Sequence, residues 1–138
     1  MIQLSMRTVI VSHAISSAIC LLVMIVLWHQ NRGRFAGLDL WLTNSIMQFV
    51  AIVFIGLRGR IPDFVSIVVG NTLILGGIFL LYVGLEKFIG KQSSQVHNYV
   101  LLVIFVLIHS YYTFRQPSLL ARNINVSLAV SLISCQAA

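Results

Sequence analysis

The sequence predicts an all-α fold, a polytopic membrane helix bundle with five transmembrane segments, and three observations carry that prediction. Two uncharged runs, Leu40 to Leu57 and Phe64 to Leu85, are joined by the short charged hairpin Arg58-Gly59-Arg60-Ile61-Pro62-Asp63. Runs of about 20 apolar residues match the hydrocarbon thickness of a bilayer. The composition, 59% hydrophobic and 9% charged, leaves too few charges to cover a water-soluble globule of 138 residues. Nearly all the basic residues fall in the gaps between apolar runs, as loops flanking a membrane do.

The first segment, residues 8–29, is uncharged, too long for a signal-peptide core and not followed by a small-x-small cleavage site, so it reads as a retained helix. A polar loop with Arg32, Gly33 and Arg34 leads to the second segment, residues 40–57, where Trp41 stands at the interface depth that indoles favour. In the hairpin, Gly59 relaxes the backbone. Pro62 suits a first helical turn that needs no amide donor, and Asp63 complements the positive helix N-terminus. The third segment, residues 62–86, is closed by Glu86, Lys87 and Gly90, and a Ser/Gln loop follows. The fourth, residues 96–114, ends in Tyr111, Tyr112 and Phe114 and is broken by Arg115-Gln116-Pro117-Ser118.

The fifth, residues 122–138, reaches the last residue. Its apolar part, from 123 to 138, makes roughly 24 Å of helix against a hydrocarbon core of about 30 Å. No anchor follows it, so the expectation is a front piece of a longer chain, all one membrane domain, with a C-terminal cytoplasmic output domain after it.

The net charge of +6 does not point to nucleic acid, because the cations are loop residues and not a basic face interleaved with aromatics. Arg7, Arg58, Arg60, Arg115 and Arg122 would share one side of the membrane, and Arg32, Arg34, Lys87 and Lys91 the other. Around the first helix Arg32 and Arg34 outnumber Arg7, which favours the N-terminus outside. Arg32-Gly33-Arg34 and Arg58-Gly59-Arg60 echo each other, but a shared turn composition does not make an inverted repeat.

Within the helices, four groups stand out. The small residues Ser66, Gly70, Gly77 and Gly84 keep near one face of the third segment, where a neighbouring backbone can approach closely. A gating hinge at Gly76-Gly77 is the functional alternative to that packing seam. His13, Gln48, Asn71 and His109 all fall between the N-terminal-side surface and the midplane, with Ser12, Ser16, Asn125 and Ser127 at similar depth. Either they make interhelical hydrogen bonds, worth about 0.6 kcal/mol each, or they line a polar pocket that takes a small ligand or responds to protons. Cys20 and Cys135 read as buried small hydrophobes and not as a disulfide. Asp39, Asp63 and Glu86 sit at helix ends, so no carboxylate of a proton relay lies mid-membrane. No catalytic, phosphate-loop or zinc motif is present, and neither a cofactor nor a metal is expected.

One resemblance adds to this. The run Leu57-Arg58-Gly59-Arg60-Ile61-Pro62-Asp63-Phe64-Val65-Ser66-Ile67 with Gly70-Asn71-Thr72-Leu73, then Gly84-Leu85-Glu86-Lys87-Phe88-Ile89-Gly90, Tyr112-Thr113-Phe114-Arg115-Gln116-Pro117-Ser118, and Gly37-Leu38 with Trp41, resembles a bacterial multi-pass membrane sensory region. That region lies ahead of GGDEF diguanylate cyclases and some sensor histidine kinases. The resemblance covers most of residues 37–118 and singles out Arg58, Arg60, Pro62 and Asp63 as the family-like hairpin. It implies a signal-input region in the bacterial cytoplasmic membrane. Such a region passes a helix rearrangement to an effector that makes cyclic di-GMP as a homodimer. No Gly-Gly-Asp/Glu-Glu-Phe stretch occurs in this chain, so the activity maps onto none of its residues. The partners expected are the lipid bilayer, a small ligand or membrane stimulus and, by the resemblance, a second copy of the chain. A small transporter or channel subunit and a structural membrane subunit are the rival readings.

Overall fold

A computed structural model describes residues 2–91 and 93–137; Met1, Gln92 and the predicted chain end Ala138 lie outside them. The described residues form α1 (Ile2–Asn31), α2 (Leu38–Gly56), a π-helical segment (Phe64–Val69) running directly into α3 (Gly70–Ile89), α4 (Val96–Phe114) and α5 (Leu119–Ala137). Four stretches are long and apolar enough to cross a bilayer: Thr8–Asn31, Leu38–Gly56, Phe64–Ile89 and Val96–Phe114. The fifth helix exists where a fifth segment was expected, but it is not among these four. Arg122, Asn123, Asn125, Ser127, Ser131, Ser134 and Gln136 dilute its apolar residues.

Tight turns set the threading. Gly59 adopts φ +88°, a left-handed conformation that suits glycine, and the Arg60 amide closes the turn on the Leu57 carbonyl at 2.9 Å. The Pro62 carbonyl then receives the amides of Val65 and Ser66, at 3.0 and 3.1 Å, which starts the third helix where proline lacks a donor to lose. At the other end of α3, Gly90 (φ +78°) terminates the helix, with the Lys91 amide returning to the Glu86 carbonyl at 2.9 Å. Antiparallel neighbours follow, so the α2–α3 hairpin and the α4–α5 turn share one end of the bundle, the hairpin end. The α1–α2 and α3–α4 loops share the far end.

Lipid tails are as apolar as leucine, so helices associate in a membrane by close packing and hydrogen bonds more than by a hydrophobic force. The closest packing here is α2 on α3. A Cβ on Gly84 would meet the Trp41 ring at 2.5 and 2.6 Å, and one on Gly37 would strike the Gly84 carbonyl. One on Gly77 would lie 2.7 Å from Asn44 Oδ1 and 2.9 Å from Gln48 Nε2. Gly70 faces Ile55 and Ala51. Gly70, Gly77 and Gly84 thus lie along one seam, all facing α2. Gln48 ties it by donating to the Ile74 carbonyl at 3.1 Å, and Phe88 covers its far end against Trp41 and Phe35, with ring centroids 5.8 Å away in each case.

Beyond the seam, α3, α4 and α5 enclose an apolar core of Leu75, Phe79, Phe105, Ala129 and Ile133. α5 runs antiparallel to α4 over its length: Asn125 donates to the Phe105 carbonyl at 3.3 Å, and Gln136 meets His97 at 3.0 Å near the far end. Among the described residues α1 packs on α2 alone. Its outward stripe of Val9, Ile15, Leu22, Val23 and Val26 is exposed and suited to lipid.

One expectation is corrected. Cys20 and Cys135 are exposed and not buried: Cys20 shares a helix face with His13, Ser16 and Ser17 along the open groove between α1 and α2, and Cys135 lies beside the exposed Leu128 and Leu132 on α5. Glu86 lies in the last turn of α3, at a helix end as expected. It is 7% exposed and accepts hydrogen bonds from Tyr82 (2.8 Å), Ser93 (2.6 Å) and Gln95 (2.5 Å), with Asn98 supporting Gln95 at 2.8 Å. This network fastens the α3–α4 loop at the far end.

Replacing Gly84 with alanine is expected to destabilise the bundle by about 1–3 kcal/mol, the cost of overpacking a filled contact. Gly33→Ala, with nothing within 4 Å of the added Cβ, is expected to change stability by less than about 0.5 kcal/mol. Denaturant unfolding in detergent micelles measures both; equal stability of the two variants would contradict the seam.

Candidate functional site

The site is built by the π-helical segment. A π turn is wider than an α turn, shifts the register of the side chains after it, and leaves carbonyls poorly served. Asn71 and Thr72 compensate, donating to the carbonyls of Ile67 and Val68, both at 2.7 Å. These side chains hold the junction between the π-helical segment and α3, and Ser66 faces inward just ahead of it. α4 brings His109, whose ring stacks on Phe105 with centroids 5.1 Å apart. The α4–α5 turn brings Arg122 and Asn123. Here Ser118 caps the new helix through the Ala121 amide at 3.3 Å, so α5 begins at Leu119 and carries Arg122 inside its first turn.

Together Arg58, Ser66, Asn71, His109, Arg122 and Asn123 line a cavity of about 150 Å³ at the hairpin end. Ser66 and His109 are each 1% exposed, and Arg122 is 9% exposed. The Ser66 hydroxyl and both ring nitrogens of His109 have no hydrogen-bond partner. Buried polar atoms are nearly always paired, and leaving one unpaired costs about 1–3 kcal/mol. These orphans therefore ask for a ligand or an ordered water. Two arginines and no acidic residue line the cavity.

The four residues expected to share one pocket are divided between two sites. Asn71 and His109 line the cavity just described. His13 and Gln48 line a separate groove of about 290 Å³ between α1 and α2, together with Asn44, Ser16 and Ser45. The physical reason is the α2–α3 seam: Gly77 draws α2 so close that Gln48 is spent on the Ile74 carbonyl, and α1 never reaches α4. His13 is exposed on α1. Ser66 belongs to the cavity wall more than to the glycine seam. Of the family-like hairpin, Arg58 lines both this cavity and a neighbouring groove with Ile10, Val11 and Gly56, whereas Arg60 lines only that groove. Pro62 and Asp63 are exposed and start the third helix.

Depth along the sequence pointed to Asn71 and His109. In the sequence Ser66 reads only as a small residue and Arg122 only as a flanking charge. A helical wheel begun at Leu119 would have put Arg122 on the face that carries Val126, Ala129 and Ile133. Among the described residues, no three His, Cys, Asp or Glu side chains come together to hold a metal ion.

Replacing His109 with leucine removes two unpaired buried nitrogens. It is expected to leave the fold equally stable or up to about 1 kcal/mol more stable, as measured by denaturant unfolding in micelles. A loss above about 2 kcal/mol would make His109 a structural core residue. Compared with protein-family models, curated proteins and solved structures, the chain matches none of them.

Proposed function

We propose that this chain is the membrane-embedded signal-input region of a bacterial signalling protein. In this reading the hairpin-end cavity receives a ligand, and the cytoplasmic effector that answers is a diguanylate cyclase. The observation that carries the reading is the pairing of His109 and Ser66. Both are wholly buried, both lack a partner, and both face one polar cavity. A site that costs stability and holds no bond partner is what binding sites have in common. α5 forms one wall of the cavity through Arg122 and runs along α4 toward the far end. We read it as a fifth crossing, the element through which occupancy of the cavity shifts whatever follows the bundle.

The cyclase assignment rests on the resemblance of residues 37–118 described above. A conducting role is less well supported. A conduit needs polar groups along a continuous path, whereas the apolar layer of Leu75, Phe79, Phe105, Ala129 and Ile133 lies along α3, α4 and α5 between the cavity and the Glu86 network.

His109→Leu in the natural reading frame is expected to change cellular cyclic di-GMP at least severalfold while membrane insertion and stability are kept. Unchanged second messenger with an intact, inserted protein would remove the reading.

A further inference from the structure

We propose that the hairpin-end cavity binds a phosphate-type oxyanion, gripped by Arg58 and Arg122 and receiving hydrogen bonds from Ser66 and His109. The inference rests on the receiver reading above and specifies its ligand chemistry.

The donor and acceptor inventory sets the sign of the ligand. Two arginines, a serine hydroxyl and an imidazole that line this space can all offer hydrogens, and Asn71 has a second amide hydrogen beyond the one spent on Ile67. A ligand that satisfies them must be rich in acceptors.

Charge points the same way. A largely buried arginine without a counter-charge is costly at membrane depth and normally pairs. The chain has three acidic residues, and none serves Arg122. Glu86 is held by Tyr82, Ser93 and Gln95 at the far end. Asp39 accepts from Trp28 there at 2.5 Å. Asp63 is exposed in the hairpin and is not part of the cavity wall. No carboxylate among the described residues supplies the negative charge, and a bound anion would supply it. The planar fork of arginine matches phosphate oxygens in particular.

Size sets the upper limit. About 150 Å³ falls well below the roughly 300 Å³ at which pockets for drug-sized molecules begin. A phosphate group fits, and the remainder of any larger molecule that carries it would lie outside the cavity. The cavity sits where the helices end, beside the exposed Arg58 and Arg60. The group can arrive either as a free anion from the aqueous phase or as the headgroup phosphate of an anionic lipid.

The test uses the full chain in a neutral maltoside detergent. Its unfolding temperature is followed while sodium phosphate is titrated against sodium chloride at matched ionic strength. In parallel, native mass spectrometry counts retained phosphatidylglycerol against phosphatidylcholine. The expected result is saturable stabilisation by phosphate, retention of phosphatidylglycerol, or both. Arg122→Gln should weaken it at least tenfold, and so should Arg58→Gln, an exposed position where substitution is expected to change stability little. Arg115→Gln, outside the cavity, should stay within twofold of the natural protein. Phosphate without lipid retention identifies a free anion, and lipid retention without a phosphate effect identifies a headgroup. Binding of both shows that the phosphate group itself is what the cavity recognises. The proposal is overturned if neither phosphate nor phosphatidylglycerol differs from its control, or if Arg115→Gln weakens binding as much as Arg58→Gln does. If His109→Leu alters cyclic di-GMP but no anion binds, the receiver stands and only its oxyanion falls.

Discussion

The close approach of α2 to α3 is the contact on which the rest of this bundle depends. In hydrocarbon, helices gain little from burying leucine against leucine, so what holds them is the distance at which backbones and small side chains can meet. Gly37, Gly77 and Gly84 allow that distance, and Trp41, Asn44 and Gln48 fill what the missing side chains leave. The same contact decides where polar groups go. It spends Gln48 on a backbone carbonyl of α3 and leaves α1 on the outside. The polar residues of the first helix are thereby cut off from those of the fourth.

Polar side chains inside the bundle consequently fall into two kinds. Gln48 and Asn125 donate to backbone carbonyls of a neighbouring helix and tie helices together, whereas Asn71, Thr72 and Thr113 donate to carbonyls four residues back in their own helix. Glu86 is likewise fully engaged by Tyr82, Ser93 and Gln95. Ser66 and His109 are different, buried as deeply as any apolar residue yet unpaired, beside an arginine that no carboxylate balances. A membrane bundle has every physical reason to avoid such an arrangement. Its presence at the end where the π-helical segment, α4 and α5 converge is the observation behind the proposed receiver role.

Much of this was legible in the amino-acid order. Charge-free runs broken by Arg58-Gly59-Arg60 gave the hairpin, and the heptad spacing of Gly70, Gly77 and Gly84 gave the seam, because both depend on local residue types. Less legible was whatever depends on which helices touch. Depth alone put His13 with His109, but lateral arrangement separates them. The π-helical segment left no mark in the periodicity. Cys20 and Cys135 look alike whether they face lipid or core. Arg122 looked like a flanking charge because nothing in the apolar pattern marks a helix that begins at Leu119, three residues earlier, and turns the arginine inward.

All of these inferences assume that the helices thread a bilayer alternately, with the hairpin and the α1–α2 loop on opposite faces. Single cysteines placed at Arg34 and at Arg60, with Cys20 and Cys135 replaced by serine, test this directly in sealed, oriented membrane vesicles. A membrane-impermeant thiol reagent should label one site at once and the other only after the vesicles are opened. Labelling of both sites from the same side, or recovery of the chain in the soluble fraction, would contradict the threading and with it the cavity's place at the membrane surface.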